Sequence, residues 1–287
     1  MGRTIEKSVS VIVPALNEED SIGSLVYRIF ELHPDAEVIV VDDGSKDNTK
    51  SVAESAGAYV VSHPYNMGNG AAIKTGMRVA EGDIFVTMDA DGQHRPEDIE
   101  MLLNKMDSFD MVVGARTFSS QANVKRAFGN LVYNYFASYI TKFKVKDLTS
   151  GFRGVRRSVA LEALPLFPNT YSYPTTLTLA TLRIGYSVYY TPIEAKKRAS
   201  GSSGVRIVQD GVRFLMIIIK ICTLFSPLRV FIPVSGIFAL LGMINYLYTF
   251  FYSGRFTNMS AVFFLSAIIV FMMGSISEQI CQMRYDK

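Results

Sequence analysis

Between Ser8 and Ala115, short apolar runs alternate with longer segments whose apolar residues recur every three or four positions. The runs, Val9–Val13, Glu37–Val41, Tyr59–Ser62, Ile84–Met88 and Met111–Val113, are rich in Val and Ile, as strands buried on both faces are. The segments between them, Ile22–Leu32, Thr49–Ala56, Ala71–Ala80 and Pro96–Met106, predict helices. This alternation predicts an α/β fold, a mostly parallel sheet flanked by helices. In such sheets ligands bind beyond the carboxyl ends of the strands, so the residues just after each run are where chemistry is expected.

The pattern changes after residue 204. Over 205–229, Ile207, Val208, Val212, Leu215, Ile218, Ile219 and Cys222 recur near helical spacing among Arg206, Gln209, Asp210, Arg213 and Lys220. This predicts an amphipathic helix lying in the membrane interface, with a helix packed on the sheet as the alternative. Val230–Tyr252 and Phe256–Ser277 carry no charge, and each is long enough to cross a bilayer. Only Ser253, Gly254 and Arg255 separate them, so they read as a transmembrane hairpin with both outer ends on one side. The expected organisation is residues 1–204, a catalytic-type domain; 205–229, the interfacial helix; and 230–287, the hairpin with a short tail.

Composition supports that division. The chain has 287 residues, of which 49% are hydrophobic and only 19% charged, below the usual quarter, and its mean hydropathy is +0.20. Cys222 and Cys281 are too few for a disulfide framework, and His33, His63 and His94 do not suit a zinc cluster, so any metal is expected on oxygen. A net charge of +3 without a basic run argues against nucleic acid. The first apolar run is too short for a signal-peptide core. Lys196, Lys197, Arg198, Arg206, Arg213, Lys220 and Arg229 precede the first span, Arg284 and Lys287 follow the second, and Arg255 alone sits between. Positive charge stays inside, which places the domain before Val230 in the cytoplasm.

The residues after the runs are acidic. Asn17, Glu18 and Glu19 follow the first, Asp42 and Asp43 the second, Asp89 and Asp91 the fourth. Two carboxylates at i and i+2 of an extended segment project to one side, which suits a hard divalent cation. Taken singly, Asp-Gly and Asp-Gly-Ser are ordinary turn and helix-cap sequences. Their placement after successive strands favours a shared site. Gly68, Gly70 and Gly76 form a loose glycine pattern before a helix, but a dinucleotide fingerprint would need Gly where Ile73 stands.

The chain resembles the inverting family-2 nucleotide-sugar glycosyltransferases, whose fold is the glycosyltransferase A-type. The residues carrying the resemblance are VIVPALNEE from Val11, VVDDGSKDNT from Val40, NMGNGAAIKTG from Asn66, MDADGQHRPED from Met88, GAR from Gly114 and DLTSGFRGVRR from Asp147. With the hairpin, nearly the whole chain resembles the polyprenyl-phosphate glycosyltransferases, the group that includes dolichyl-phosphate mannose synthase. The resemblance implies that Pro14, Leu16, Glu18, Val41, Asp42 and Asp43 cradle the nucleoside. It implies that Asp89 and Ala90 meet the donor, that Asp91 and Gln93 hold Mg²⁺ or Mn²⁺, and that Asp89, Asp91 and Arg116 carry catalysis. Arg116, Arg126 and Arg153 are implied to receive the acceptor phosphate, with Arg198 near the donor.

Two departures stand out. Leu16 replaces a Tyr, and Gly204 replaces a Lys expected six residues after Arg198; either Arg206 takes that part or the loop binds differently. No Trp occurs, which argues against the processive polysaccharide synthases of the superfamily, and SYPTTLTLA from Ser172 lacks the acidic base that alcohol-glycosylating relatives use. The resemblance therefore implies a membrane enzyme moving a sugar from a UDP- or GDP-linked donor to a polyprenyl phosphate. The alternatives are a non-catalytic membrane scaffold that binds nucleotide sugar, or a glycosyltransferase acting on a lipid or polymer hydroxyl. The oligomeric state is left open, a homo-oligomer included.

Overall fold

A computed structural model describes residues 8–92, 94–116, 133–135, 137–139, 141–169, 173–194 and 226–285. The chain divides into two compact units, Met1–Gly204 and Val205–Lys287. In the first, strands and helices alternate as β1 (Val9–Ala15), α1 (Glu19–Leu32), β2 (Glu37–Asp42), α2 (Thr49–Ser55), β3 (Tyr59–Ser62), α3 (Asn69–Val79) and β4 (Ile84–Thr87). A 3-10 turn at Pro96–Asp98 leads into α4 (Ile99–Leu103) and β5 (Met111–Arg116), then β6 (Arg153–Arg156), α5 (Arg157–Ala163), α6 (Tyr173–Ile184) and β7 (Val188–Ile193).

The seven strands form one sheet in the order β3-β2-β1-β4-β6-β5-β7. All neighbouring pairs are parallel except those of β6, which runs antiparallel to both β4 and β5. The sheet is mostly parallel, as the apolar runs predict, with β6 alone reversed; those runs stop at Val113 and do not reveal β6 or β7. β6 escapes a reading by apolar pattern because it is Arg-Gly-Val-Arg, four residues with a charge at each end.

Successive side chains of β1 enter opposite layers. Val11 and Val13 join Ile22, Leu25, Val26 and Ile29 of α1 and Ile99 and Leu102 of α4 in one core layer. Those α1 positions are spaced three and four apart, which gives the helix a single buried stripe. Ile12 faces the other way, where α3 approaches so closely that a Cβ on Gly76 would stand 2.3 Å from Ile12 Cγ2. Each Val or Ile so buried contributes about 1.5–3 kcal/mol.

In the second unit, α7 (Leu228–Ser253) and α8 (Asn258–Tyr285) are long and apolar enough to cross a membrane, and most of their large side chains are exposed. Gly254 ends α7 in the left-handed conformation (φ +63°), its N–H returning to Phe250 O at 2.9 Å. Polar groups are satisfied between the two helices: Ser235 Oγ donates to Ala267 O at 2.8 Å, and Asn245 Oδ1 accepts from Thr257 and Ser260 at 3.1 and 2.9 Å. That accounting is what a helix pair in lipid requires. α8 runs beyond Ser277, and Glu278 on the added turns accepts the Leu228 N–H at the start of α7 at 3.2 Å. The expected interfacial helix over 205–229 lies, up to residue 225, outside the described residues.

Candidate active site

The parallel strands β1, β2, β4 and β5 all leave the sheet at one edge. Because β6 runs the other way, with Arg153 opposite Thr87, the 147–152 segment arrives at that same edge. Three loops from the first half and one from the second therefore meet there.

The loops after β1 and β2 are laced together. Asn17 adopts a left-handed conformation (φ +54°), its N–H donates to Ser45 Oγ at 2.9 Å, and its Oδ1 accepts the Lys46 N–H at 2.9 Å. Glu18 N–H donates to Thr49 Oγ1 at 2.8 Å. Leu16 and Glu18 remain half-buried at this mouth, whereas Pro14 is buried in β1. Asp42 is buried as well, with Oδ1 accepting the Ser45 N–H at 3.0 Å.

Asp43 is committed elsewhere than expected. Its carboxylate accepts the N–H groups of Met67 and Gly68, each at 2.8 Å, and pairs with His63 Nδ1 at 2.7 Å. His63 Nε2 in turn meets Thr75 Oγ1 on α3 at 2.9 Å. With these partners Asp43 ties the β3–α3 loop to the end of β2, and the expectation that it contacts a nucleoside gives way to that role. Gly44 lies in the same junction at φ +77°, where a Cβ would stand 2.7 Å from the Tyr65 carbonyl carbon. The side chains of Val41 and Ala90 point into the core, so their part at the edge is limited to the main chain.

After β4, Asp89 keeps 35% of its side chain exposed and packs against Gly151, where a Cβ would be 2.8 Å from Oδ2. Thr87 Oγ1 donates to Gly151 O at 2.6 Å and fixes that approach. Asp91 is half-buried, and Gly92 turns the chain at φ +71°. His94 is buried and stacks on Phe152, with ring centroids 5.2 Å apart. Tyr173 is buried nearby; burial and the charge of Asp89 push its phenol up, so it is a neutral hydroxyl.

Arg116, the last residue of β5, is held by Asp147 through Nε at 2.9 Å and Nη2 at 3.1 Å, and Nη2 also reaches Thr149 Oγ1 at 2.6 Å. Its Nη1 hydrogens have no partner among the described residues. Burial works against its charge, but the hydrogen bonds and charge of Asp147, with the more distant Asp89, outweigh that and raise its pKa.

Arg153 is the clearest correction. It is fully buried; Nη1 donates to Pro174 O at 2.8 Å and to Thr178 Oγ1 at 3.0 Å, while Nε (at 3.2 Å) and Nη2 both donate to Ser150 O. Burial lowers its pKa. A phosphate has no access to a guanidinium enclosed in this way, so Arg153 holds the 150–153 strand entry to α6. Gln93, Arg126, Arg198, Gly204 and Arg206 lie outside the described residues. His63, His94, Asp147, Thr149 and Gly151 take part in the edge without having been singled out from the sequence, although all but His63 fall inside quoted motifs.

Residues 10–163 match glycosyl transferase family 2, and residues 226–283 match the GtrB C-terminal hairpin. The chain is 30% identical over 210 residues to the polyprenol monophosphomannose synthase of Mycolicibacterium smegmatis, covering 67% of this chain and 79% of that one. It is 34% identical over 186 residues to the UDP-N-acetylglucosamine–dolichyl-phosphate N-acetylglucosaminyltransferase of Methanococcus voltae, covering 55% and 73%. The fold is similar to that of glucosyl-3-phosphoglycerate synthase from Mycobacterium tuberculosis, with a TM-score of 0.62 at 20% identity over 76% of this chain and 79% of that one. With more than half its length matched and its edge built from the family's motif residues, the chain belongs to glycosyl transferase family 2 and is a glycosyltransferase.

Proposed function

We propose that this chain transfers a sugar, with inversion, from a nucleotide-sugar donor to the phosphate of a polyprenyl carrier at the cytoplasmic face of a membrane. The observation that carries this reading is the pairing, in one chain, of a family-2 domain with a GtrB-type hairpin. Relatives named for polyprenol and dolichyl-phosphate acceptors support it. The excess of Lys and Arg before Val230 supports the cytoplasmic side.

On this reading Leu16, Glu18 and Asp42 border the nucleoside, while Asp89 and Asp91 face its diphosphate. Asp89 and Asp91 are hard oxygen donors on a strand-end loop and fit Mg²⁺ or Mn²⁺, with Gln93 as a further ligand. Among the described residues no three His, Cys, Asp or Glu side chains form a metal cage, so donor oxygens complete the set. A cation held by Asp91 and Gln93, with Asp89, would offset the charge of the departing nucleoside diphosphate. An acceptor phosphate oxygen forms the new bond to the anomeric carbon, and the leaving diphosphate oxygen takes the electron pair of the bond that breaks. A phosphate monoester is largely dianionic near neutrality, its second ionisation lying near pH 6, so no base is needed to activate it. Repulsion between two phosphate groups must then be offset by cations, for which Arg116, through its Nη1 side, and Arg126 are the candidates.

Nucleotide release by the full-length protein in detergent tests the reading. Release from a UDP- or GDP-sugar should require a prenyl phosphate, and a prenyl alcohol of equal length should not substitute. Equal rates with the alcohol would assign the enzyme to hydroxyl transfer.

A further inference from the structure

His94 follows the acidic loop directly, yet it is buried at 6% exposure. Its Nδ1 is shielded from solvent and makes no hydrogen bond among the described residues, and it lies 4.0 Å from Asp89 Oδ2. The ring does not drift, because it stacks on Phe152 with planes 19° apart. Phe152 is itself fully buried, with its carbonyl accepting the Gly114 N–H at 2.9 Å. Gly151, the residue before it, presents its Cα to the Asp89 carboxylate. Asp89 is thus bordered from two segments joined by the His94–Phe152 stack, by a glycine that lets it approach and by an imidazole nitrogen 4.0 Å away, just too far for a hydrogen bond. Buried nitrogens are seldom left without a partner unless another state supplies one.

We infer that His94 is a positioning residue whose Nδ1–H donates to Asp89 Oδ2 once the donor nucleotide is bound, fixing the carboxylate that faces the diphosphate. A shift of about 1 Å brings the pair within the usual range for such bonds. The Nδ1–H tautomer leaves Nε2 as the acceptor nitrogen, and the ring's stacking holds Nδ1 on line. With one Asp89 oxygen taken by His94, the second is oriented toward the donor. This rests on the reading that Asp89 faces the donor diphosphate.

Two substitutions separate positioning from packing. His94→Phe keeps the stack on Phe152 and removes the nitrogen; His94→Asn loses the stack and keeps an N–H near the Nδ1 position. Each is compared with wild type, as full-length protein in detergent, by calorimetry with a nucleotide sugar and Mn²⁺, by kinetics and by thermal melting. Because a hydrogen bond to a charged group is at stake, His94→Phe should weaken donor affinity about tenfold and raise donor KM equally. Its kcat at saturating donor should stay within about threefold, since the bond forms on binding and persists in the transition state. His94→Asn should recover affinity to within about threefold of wild type despite a lower melting temperature. Wild-type affinity in the Phe variant, or an Asn variant no better than the Phe variant, overturns the inference. If the Phe variant does not fold, near-wild-type affinity of the Asn variant supports it, and a tenfold loss overturns it. Wild type that binds donor but moves no sugar to a prenyl phosphate defeats the proposed function and leaves the binding comparison intact. Wild type that binds no nucleotide sugar overturns both.

Discussion

Asp147 grips Arg116 with both carboxylate oxygens, Oδ2 to Nε at 2.9 Å and Oδ1 to Nη2 at 3.1 Å, while Oδ2 also accepts the Arg116 main-chain N–H at 3.2 Å. Oδ1 further accepts the N–H groups of Thr149 and Ser150, each at 3.1 Å. One carboxylate therefore ends β5, shapes the 147–150 turn and orients the guanidinium. Burial would push the Asp147 carboxyl up, but the hydrogen bonds and charge of Arg116 outweigh it and hold the group below the ordinary carboxylate range.

A lowered folded-state pKa means that Asp147 stabilises the protein above the unfolded value of about 3.9, and that this stability is lost as pH falls through the folded value. Wild type should therefore lose melting temperature below about pH 4 more steeply than Asp147→Asn. Asp147→Ala should cost about 3 kcal/mol at neutral pH, because it leaves a largely buried arginine without its partner. Melting curves of the three proteins from pH 3 to 7 check both, and parallel curves for wild type and the Asn variant would contradict the assignment.

Arg153 and Arg116 should separate in assay. Arg153→Met removes a fully buried fork that four hydrogen bonds engage, so about 3 kcal/mol of stability is the expected loss, with the Ser150 carbonyl losing both its guanidinium donors and Pro174 O left to Thr178 Oγ1. Arg116→Lys keeps the charge and loses the bidentate geometry, so it should raise the KM for prenyl phosphate at little cost in nucleotide affinity. Denaturant titration and steady-state kinetics on both variants decide. A phosphate-specific KM effect in a stable Arg153→Met protein would return that residue to the acceptor site.

Gly151 needs its missing Cβ. An alanine there would put a methyl 2.8 Å from Asp89 Oδ2 and 3.2 Å from Oδ1, and the carboxylate, not the backbone, would have to move. Gly151→Ala should therefore fold with nearly unchanged melting temperature and lose turnover about a hundredfold, as displacements of roughly 1 Å in a positioned group do. Turnover within twofold of wild type would show that Asp89 tolerates the shift.

The first half of the sheet was legible because β1, β2 and β4 are apolar runs buried on both faces, and the carboxyl-end rule then pointed to Asp42, Asp89 and Asp91. The second half was not. β6 has a charged residue at each end, and Arg153 is enclosed by the Ser150 carbonyl just before it together with Pro174 O and Thr178 Oγ1 of α6, partners that stand 21 and 25 residues later and leave no local signature. The misassignment of Asp43 has a similar cause. In sequence it is one of two equivalent aspartates before a glycine, and only the return of the β3–α3 loop, with His63 and two main-chain N–H groups, distinguishes it from Asp42. From the sequence, Asp147 offers itself as a carboxylate partner for Arg126 or Arg153; its partner is instead Arg116, 31 residues earlier, across an antiparallel pairing that the apolar pattern does not reveal.

The proposed donor set predicts metal dependence. With Asp89 and Asp91 as hard oxygen ligands, chelation should abolish sugar transfer, and Mg²⁺ or Mn²⁺ should restore it. Asp91→Asn should reduce turnover by about two orders of magnitude while leaving the melting temperature of the apo protein nearly unchanged, because the Asp91 side chain is only half-buried and the change is isosteric. Full activity of that variant in excess chelator would remove the cation from the reaction.

The hairpin offers an internal control for packing in lipid. Lipid tails are as apolar as the helices, so α7 and α8 are held together by close contact and by hydrogen bonds between them. Gly274 marks the closest approach: a Cβ there would stand 2.5 Å from Phe231 Cβ, an atom fixed to the α7 backbone that cannot swing aside. Gly236, on α7, has nothing within 4 Å of a built Cβ. Both glycines belong to apolar helices and look alike in sequence, yet only one supports the helix pair. Gly274→Leu should force the helices apart and cost about 1–3 kcal/mol, the usual penalty for overpacking, and strain the Leu228 N–H to Glu278 bond that closes the same end. Gly236→Leu should match wild type or exceed it slightly, since a mid-helix glycine is a poor helix former. Thermal unfolding of both variants in the same detergent measures the difference, and equal stability of the two would mean that the pair is not packed through Gly274 and Phe231.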